Sequence, residues 1–518
     1  MTNQIKSHFT NGPVVLVSKE LGYTFPLSYA YLAGYLRSKG ENVTVFFKSP
    51  DRMKLVKELL ALNPVLVGFG SLYPELKDTA EIISLLNKAD RKFPIVIGGQ
   101  MVSPIPEFAL EITGAEVGIV GEGEITLYKL VKALRAGVSI NEISGIVYRD
   151  EEKIINTGPG EFIKDLDTLP PIPYDLFPTE KWLKVGQWYA RNIPTSHWKL
   201  NDRVVFAHGG RGCPYTCNFC YHHSKPRYRS ISVILKEAEE ALERFDGNFL
   251  CFSDDLVVSS PKRARDLLDG LGRLKRKVEF RLLTRIDILK KMDDKLLKDM
   301  KTAGCRLIGI GLESGSDRML NIIGKNCTSE DIRTTLDRLK KVGITPFVSL
   351  MVGQDTETLE DIELSKKLVR DTMRNNPKLR YTFTITTPFP GSALYDKIMA
   401  EGHLNNHKEF YDRYFHDCLA EGDWRQIVNL SKLTDKEVVD KLREITNIYN
   451  QELKNGAKWS LRTIILLARI CNKTFRIIHR ISMLIIPRRG VFKPYYRMLD
   501  FIHGFFLTGI DYFKFQLM

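Results

Sequence analysis

Gly209-Gly-Arg-Gly-Cys-Pro-Tyr-Thr-Cys-Asn-Phe-Cys-Tyr221 is the stretch that decides the fold of this chain. Within it, Cys213, Cys217 and Cys220 follow a C-x-x-x-C-x-x-C spacing and offer three thiolates from one loop. Three ligands leave one metal position open, and in a cluster of four irons the unligated iron can bind a substrate or cofactor directly. The loop is therefore predicted to hold an iron–sulfur cluster with one reactive corner.

Zinc is the alternative interpretation of the same loop. A structural zinc ion takes four nitrogen or sulfur ligands, and His222 or His223 is at hand to complete the set. Two adjacent histidines directly after the last cysteine give an awkward geometry for a tetrahedral ion. The context of the loop has to decide between the two.

Strand and helix patterns alternate around the cysteines. Residues 203–207 are typical of a buried strand, and residues 233–244 have the periodicity of an amphipathic helix. Five further strand-like runs follow, separated by helical patterns, at residues 249–253, 278–283, 306–310, 346–351 and 381–386. Six βα units predict parallel strands in a partial (β/α)6 barrel, with the chemistry at the carboxyl ends of the strands.

A second α/β pattern precedes this one. Short apolar runs at residues 14–18, 43–47, 65–70, 95–98 and 117–120 alternate with helical patterns such as 27–38 and 77–87. This alternation predicts a doubly wound, flavodoxin-like or Rossmann-like domain, whose ligand lies beyond the carboxyl ends of the strands. Small and acidic residues stand at those ends and are the candidate ligand contacts: Ser71, Gly98, Gly99, Gly121, Glu122 and Gly123.

The barrel half resembles the radical S-adenosylmethionine (SAM) enzymes. Besides the cysteine loop, three landmarks match: Phe252-Ser-Asp-Asp255, Gly309-Ile-Gly-Leu-Glu-Ser-Gly315 and Thr387-Pro-Phe-Pro-Gly-Ser-Ala-Leu-Tyr395. The resemblance implies that the thiolates hold a [4Fe-4S] cluster whose open iron chelates SAM. It also implies that one electron then cleaves SAM to a 5′-deoxyadenosyl radical.

Five side chains are candidate contacts to these cofactors: Phe219, Asp254, Asp255, Arg285 and Glu313. Phe219 stands between two ligands and is expected to cover the cluster, although a loop Phe can also be core. Arg285 matches the carboxylate of SAM, and a surface ion pair is its alternative. Glu313, flanked by glycines, is expected to approach an amine or hydroxyl of a ligand, with a helix N-cap as its alternative.

The first half resembles the cobalamin-binding domain that precedes the barrel in one large subfamily of these enzymes. Matching stretches are Pro26-Leu-Ser-Tyr-Ala-Tyr-Leu-Ala33, Ile97-Gly-Gly99 and Val120-Gly-Glu-Gly-Glu124. One departure is that His8, ahead of the first strand, is the only histidine in the first 196 residues. Cobalamin is therefore expected to bind without a lower axial imidazole. The alternative is a flavodoxin-like or Rossmann-like domain whose ligand site has decayed.

A length of 518 residues suggests about three domains. The predicted division is a cobalamin-binding domain over 1–150, a Pro-rich extended linker over 151–200, the barrel over 201–400, a helical extension over 401–456 and a basic tail over 457–518. Eight cysteines, three of them clustered, argue against a disulfide scaffold and for a reducing compartment. The first residues lack the apolar core of a signal peptide, so the chain is expected to be cytoplasmic.

The tail carries much of the charge. Residues 457–518 contain 11 Lys or Arg and two acids, which gives +9 of the net +14. The cations and the apolar residues of 462–484 alternate at helical spacing, and no run reaches the length of a membrane span. The tail is predicted to lie on an anionic membrane surface, or else to pack on the barrel with a solvated face. Nucleic acid is not expected as a partner.

The resemblance implies a cobalamin-dependent radical SAM enzyme that methylates an unactivated carbon of a lipophilic or bulky natural product. An electron donor such as flavodoxin or ferredoxin is the expected partner. Two alternatives stay open. One is an anaerobic cyclase or oxidoreductase acting on a tetrapyrrole-like or lipid substrate. The other is a non-catalytic cobalamin or cluster sensor, against which the full set of SAM-pocket residues argues.

Overall fold

The computed structural model describes residues 5–18, 24–151, 153–192, 197–221, 224–418 and 428–456. His222, His223 and the whole predicted tail, 457–518, lie outside these residues. Within the described ranges, no helix combines the length and the apolar character needed to cross a bilayer.

The first half forms one sheet of seven strands. These are β1 (Val14–Ser18), β2 (Val43–Phe47), β3 (Leu66–Gly70), β4 (Ile95–Gly98), β5 (Val117–Ile119), β6 (Ile146–Asp150) and β7 (Lys153–Asn156). Their order is β2-β1-β3-β4-β5-β6-β7, parallel through β5 and antiparallel thereafter. The order 2-1-3-4-5 is the flavodoxin-like doubly wound arrangement, which confirms the predicted class. The added β6–β7 hairpin was not predicted, and it carries the sheet past residue 150.

Five helices flank this sheet: α1 (Leu27–Ser38), α2 (Arg52–Ala61), α3 (Leu76–Lys88), α4 (Pro106–Thr113) and α5 (Gly123–Ala136). Local sequence sets their ends. The Asp51 carboxylate accepts a hydrogen bond from the Lys54 amide at 2.9 Å and caps α2. Gly137, with φ 66°, ends α5 in the left-handed conformation that glycine adopts without strain.

The second half forms a six-stranded, fully parallel sheet in the order β15-β14-β13-β12-β11-β8. Its strands are β8 (Val204–Ala207), β11 (Phe249–Phe252), β12 (Glu279–Thr284), β13 (Cys305–Glu313), β14 (Thr345–Val352) and β15 (Arg380–Ile385). A two-stranded ribbon, β9 (Gly210–Arg211) with β10 (Arg227–Tyr228), stands beside it. The sheet ends at β8 and β15, as the predicted partial barrel requires.

Helices alternate with these strands and continue beyond them: α6 (Thr179–Leu183), α7 (Val185–Asn192), α8 (Ile231–Arg244), α9 (Pro261–Leu271), α10 (Ile286–Leu289), α11 (Asp294–Thr302), α12 (Asp317–Ile322), α13 (Ser329–Val342), α14 (Leu359–Asn375), α15 (Ala393–Ala400), α16 (His407–Asp412) and α17 (Asp435–Gly456). Residues 151–200, predicted as an extended linker, contain short helices and pack on the first domain. Phe177 and Trp182 are buried, and both rings lie 5.2 Å from that of Phe25 in the first domain.

The two halves also meet through the C-terminal helices. Phe410 of α16 packs its ring 5.4 Å from that of Tyr73, in the core of the first sheet. Tyr395 of α15 joins the same apolar cluster. These contacts fix the first sheet against the barrel, so that the carboxyl ends of both sheets border one space.

Candidate active site

A cleft of about 530 Å³ opens between the two sheets. This volume lies in the usual range of small-molecule and cofactor sites. The carboxyl ends of β1, β3 and β4 line one wall, and the residues that follow β8 and β11 line the other. Eight of the predicted contact residues border it: Ser71, Gly98, Gly99, Gly121, Glu122, Gly123, Asp254 and Asp255. Phe219, Arg285 and Glu313 do not line this cleft. Phe219 is part of the cysteine loop, and Arg285 and Glu313 lie beside that loop.

The glycines of the first wall differ in backbone conformation and in the space around them. Gly99 has φ 81°, and a Cβ there would stand 2.8 Å from the carbonyl oxygen of Ser71. Gly98 is less crowded, since the nearest atom to its added Cβ is the Ile119 Cβ at 3.7 Å. Gly121 has φ 85° and nothing within 4 Å of an added Cβ. At Gly98 and Gly121 the backbone of this wall is therefore open to close approach by a large ligand, whereas at Gly99 the Ser71 backbone fills the space.

Glu122 lines the cleft, but its carboxylate is held by protein groups. Arg211 Nη1 donates to it at 2.9 Å, and both terminal nitrogens of Arg227 also contact it. Burial opposes ionisation, yet the hydrogen bond from Arg227 and the charge of Arg211 outweigh it, and the pKa of Glu122 is lowered. Glu122 is thus an ionised link between the first domain and the barrel.

Asp254, predicted from sequence, pairs with a histidine that was not. Its Oδ1 accepts hydrogen bonds from the amides of Gly209 at 2.6 Å and Gly210 at 3.2 Å, and it lies 2.7 Å from His208 Nδ1. A carboxylate on Nδ1 fixes the imidazole and makes Nε2 the nitrogen that is available to a ligand. His208 directly follows β8, and that position at a strand end is the only sequence signal that marks it.

The three cysteines lie on the loop that the β9–β10 ribbon closes. Cys217 is buried, while Cys213 and Cys220 are half-buried. Burial raises the pKa of Cys220 to about 12, so its thiol is protonated unless a metal stabilises the thiolate. Among the described residues, no three Cys, His, Asp or Glu side chains converge on a point that would hold a single metal ion. This holds for Cys213, Cys217 and Cys220 as well, and the two histidines that the zinc interpretation needs, His222 and His223, lie outside the described residues.

Arg285 is buried behind this loop and not at the surface. Its Nη1 lies 3.2 Å from Cys217 Sγ, its Nη2 donates to the Lys325 carbonyl at 2.8 Å, and its Nε donates to Asp287 at 2.8 Å. The guanidinium also stacks 3.6 Å from the centre of the Tyr215 ring. The surface ion pair considered for Arg285 is therefore wrong, and the side chain fixes the position of the cysteine loop.

Glu313 ends β13 with φ 70°, a strained conformation for a residue other than glycine. Its Oε1 lies 3.1 Å from Lys325 Nζ and accepts from Ser349 Oγ at 3.2 Å. The N-cap alternative is wrong, because the Ser316 side chain caps the next helix. Lys325, which the sequence did not single out, also lies 5.6 Å from the centre of the Phe219 ring. A carboxylate and an ammonium group thus lie beside the cysteines.

These features fit the cofactors that the resemblance implies. One loop presents three thiols, as a cluster with one open iron requires. The space around Gly121 admits a bulky group, and Asp254 Oδ2 is buried without a hydrogen-bond partner in the part of the chain that the structure describes. A buried acceptor of this kind is normally satisfied by a ligand or water.

Two family models match the chain. Residues 209–369 match the radical SAM superfamily, and residues 13–131 match the B12 binding domain. The chain is 27% identical over 386 residues to an uncharacterised methyltransferase of Pyrococcus horikoshii, which covers 73% of this chain and 79% of that protein. It is 26% identical over 388 residues to the anaerobic magnesium-protoporphyrin IX monomethyl ester cyclase of Rubrivivax gelatinosus, over 72% of this chain and 66% of that one.

Among solved structures, the radical SAM methyltransferase TsrM from Kitasatospora setae, with cobalamin and a [4Fe-4S] cluster bound, has the same fold. Its TM-score is 0.63 at 17% identity, over 84% of this chain and 91% of that chain.

Proposed function

Because the chain belongs to the radical SAM superfamily and carries a B12-binding domain, we propose that it is a cobalamin-dependent methyltransferase acting on an unactivated carbon. Its cofactors are a [4Fe-4S] cluster, SAM and cobalamin. The observation that carries the proposal is the cleft that both sheets border with their carboxyl ends. In this proposal, cobalamin would bind against the wall formed by the first sheet, and SAM would reach the cleft from the barrel wall, where Asp254 and Asp255 lie.

When bound, the cluster with SAM supplies the 5′-deoxyadenosyl radical, and cobalamin supplies the methyl group. In this proposal Cys213, Cys217 and Cys220 hold the cluster, and Arg285 fixes the loop through Cys217. Asp254 and Asp255 offer carboxylates to the groups that enter the cleft from the barrel side.

The proposed substrate is lipophilic or otherwise bulky. Apolar side chains, among them Leu16, Phe25, Leu72 and Leu127, make up much of the cleft wall. The basic tail, known here from sequence alone, would bring this cleft to an anionic membrane surface. A flavodoxin or ferredoxin is the proposed electron donor, and a net charge of +14 favours acidic partners of that kind.

The test is anaerobic incubation with SAM, a reductant, cobalamin and a lipid and pigment extract from a strain that lacks the gene. A product heavier than its precursor by one methylene group is expected, together with 5′-deoxyadenosine. Cys213→Ala should give neither, whereas Cys251→Ala, at a buried cysteine in β11, should give both. A wild-type protein that consumes no SAM would contradict the proposal and favour a sensor.

The likeness to the R. gelatinosus protein supports a second candidate, an anaerobic ring closure on a tetrapyrrole-like substrate. The same experiment separates the two candidates. Ring closure changes the mass of the substrate without adding a methylene group, and it consumes no SAM as a methyl source.

A further inference from the structure

Resting on the proposed use of cobalamin, we infer that Glu122 is a positioning residue that couples the cobalamin-binding wall of the cleft to the cysteine loop. Glu122 belongs to the loop Gly121-Glu122-Gly123-Glu124, called here the acidic loop. Its partners, Arg211 and Arg227, belong to the ribbon that closes the loop carrying the three cysteines.

The first step concerns the ribbon. Arg211 and Arg227 are direct cross-strand partners in the β9–β10 pair, so their side chains lie on the same face. Two like charges in that relation repel each other and weaken the pairing of the two strands unless they are neutralised. Arg211 stands two residues before Cys213, so opening the ribbon would displace the first cluster ligand.

The second step concerns what prevents this repulsion. Glu122 binds both arginines, and Glu124 accepts a further hydrogen bond from Arg211 Nη2 at 2.6 Å. Two carboxylates therefore neutralise two guanidinium groups. The side chains of Glu122 and Glu124 are each only 5% exposed, so solvent does not replace either partner when one is removed. The ribbon of the barrel thus depends on carboxylates of the other domain.

The third step connects the acidic loop to the cofactor. All four of its residues line the cleft, and so does Arg211. Glu122 occupies the N-cap position of α5 without making a side-chain cap, because its carboxylate turns to the arginines instead. A ligand bound against Gly121 and Gly123 therefore restricts the movement of Glu122, the residue that holds the ribbon closed. By reciprocity, an ordered cluster loop also favours the ligand-binding arrangement of the acidic loop.

The experiment uses the full-length chain with its cluster loaded, with and without saturating hydroxocobalamin. The rate at which a chelator removes iron is measured anaerobically, and the spectrum of the reduced cluster is recorded by electron paramagnetic resonance. Cobalamin is expected to slow iron loss in the wild type by about fivefold, the lower end of ordinary coupling between sites. In Glu122→Gln the effect should fall below about twofold, and the spectrum should no longer respond to cobalamin.

Glu41→Gln is the matched control, because it breaks an ion pair with Arg135 in which the Glu41 side chain is 8% exposed. That pair lies outside the cleft, and the variant should keep the wild-type protection. If Glu122→Gln does not fold, Arg227→Lys replaces it, since lysine keeps the charge but loses the two-nitrogen contact.

Three results would overturn the inference. One is wild-type protein that binds cobalamin without any change in iron loss. Another is protection that persists in the Glu122 variant, which would mean that cobalamin merely shields the cluster. The third is wild-type protein that does not bind cobalamin, seen as no change in absorbance on mixing, which would contradict the proposed function as well. Protein that binds cobalamin but shows no change in iron loss contradicts only the coupling and leaves the proposed function standing.

Discussion

Gly98 and Gly99 are neighbours in sequence, yet the structure predicts opposite outcomes for their substitution. Gly99→Ala should destabilise the first domain, because its Cβ would meet the Ser71 carbonyl at 2.8 Å and its φ is 81°. Gly98→Leu should fold, since its Cβ has only ordinary contacts, but its side chain would occupy cleft space and weaken cobalamin binding by tenfold or so. Thermal unfolding and absorbance titration would check both. Wild-type affinity in a folded Gly98→Leu would place cobalamin elsewhere.

The cysteines offer a second prediction for single residues. The reconstituted chain should carry about four irons, and loss of any one of the three ligands should abolish reductive cleavage of SAM. Iron analysis and quantification of 5′-deoxyadenosine are the measurements. Cleavage that survives Cys217→Ala would contradict the assignment of that ligand.

His208 is a candidate histidine ligand for cobalamin that the sequence did not single out. The Co(II) form is expected to lack nitrogen superhyperfine splitting in electron paramagnetic resonance, because His8 lies ahead of β1 and away from the cleft. His208, however, lines the cleft from the barrel side. A splitting that disappears in His208→Ala would therefore contradict the expectation and identify the ligand.

Among the elements of the barrel, the loop before α14 contains a buried carboxyl group, Glu357, whose ionisation lowers the stability of the fold. Burial raises the pKa of Glu357 to about 7, against hydrogen bonds from the amides of Gly353 and Gln354, while Asp361 raises it further and Arg318 lowers it. The folded state thus keeps a proton that the unfolded state, with a pKa of 4.5, has lost. Stability should fall as the pH rises from about 4.5 to 7 and stay lower above.

Glu357→Gln removes this titration. The free energy of unfolding of the variant should exceed that of the wild type by more at pH 8 than at pH 5. The increase should be about 2 kcal/mol, because the neutral amide carries no cost of ionisation. Denaturant unfolding at the two pH values measures the gain. An equal difference at both would show that Glu357 does not titrate in this range.

Elements with a local pattern could be predicted from the sequence, and elements without one could not. Runs such as residues 14–18 and 95–98 match β1 and β4, because continuous apolar stretches between helices mark buried parallel strands. The ribbon β9–β10 was not predicted, since each strand has only two residues and the pairing joins positions that are 16 and 18 apart. For the same reason the site was found only in part. Strand-end glycines and cysteines have sequence signatures, whereas the hydrogen bonds that Arg211 and Arg227 donate to Glu122 depend on the docking of two domains.

For the whole molecule, the tail offers a test that leaves the cofactor machinery intact. Deleting residues 457–518 should release the protein from anionic liposomes while SAM cleavage continues, because the cysteines and the cleft lie upstream. Each basic group near such a surface contributes about 1 kcal/mol, so 150 mM added salt should weaken binding of the intact chain. Sedimentation with liposomes measures both. Unfolding of the shortened chain, with no liposome binding by the intact one, would place the tail in the core.

The place of that cut matters because of α17. The barrel sheet does not close, and α17 packs on its end strand β15, with the Tyr449 ring 5.6 Å from that of Phe383. It also pairs with α14, where Arg374 Nε donates to Glu452 at 2.9 Å. A chain ending before Asp435 would uncover the Tyr381 and Phe383 rings on β15, the end strand of the sheet, to other copies of itself. We therefore expect a chain cut before α17 to aggregate through β15, whereas a chain cut after Gly456 keeps that strand covered.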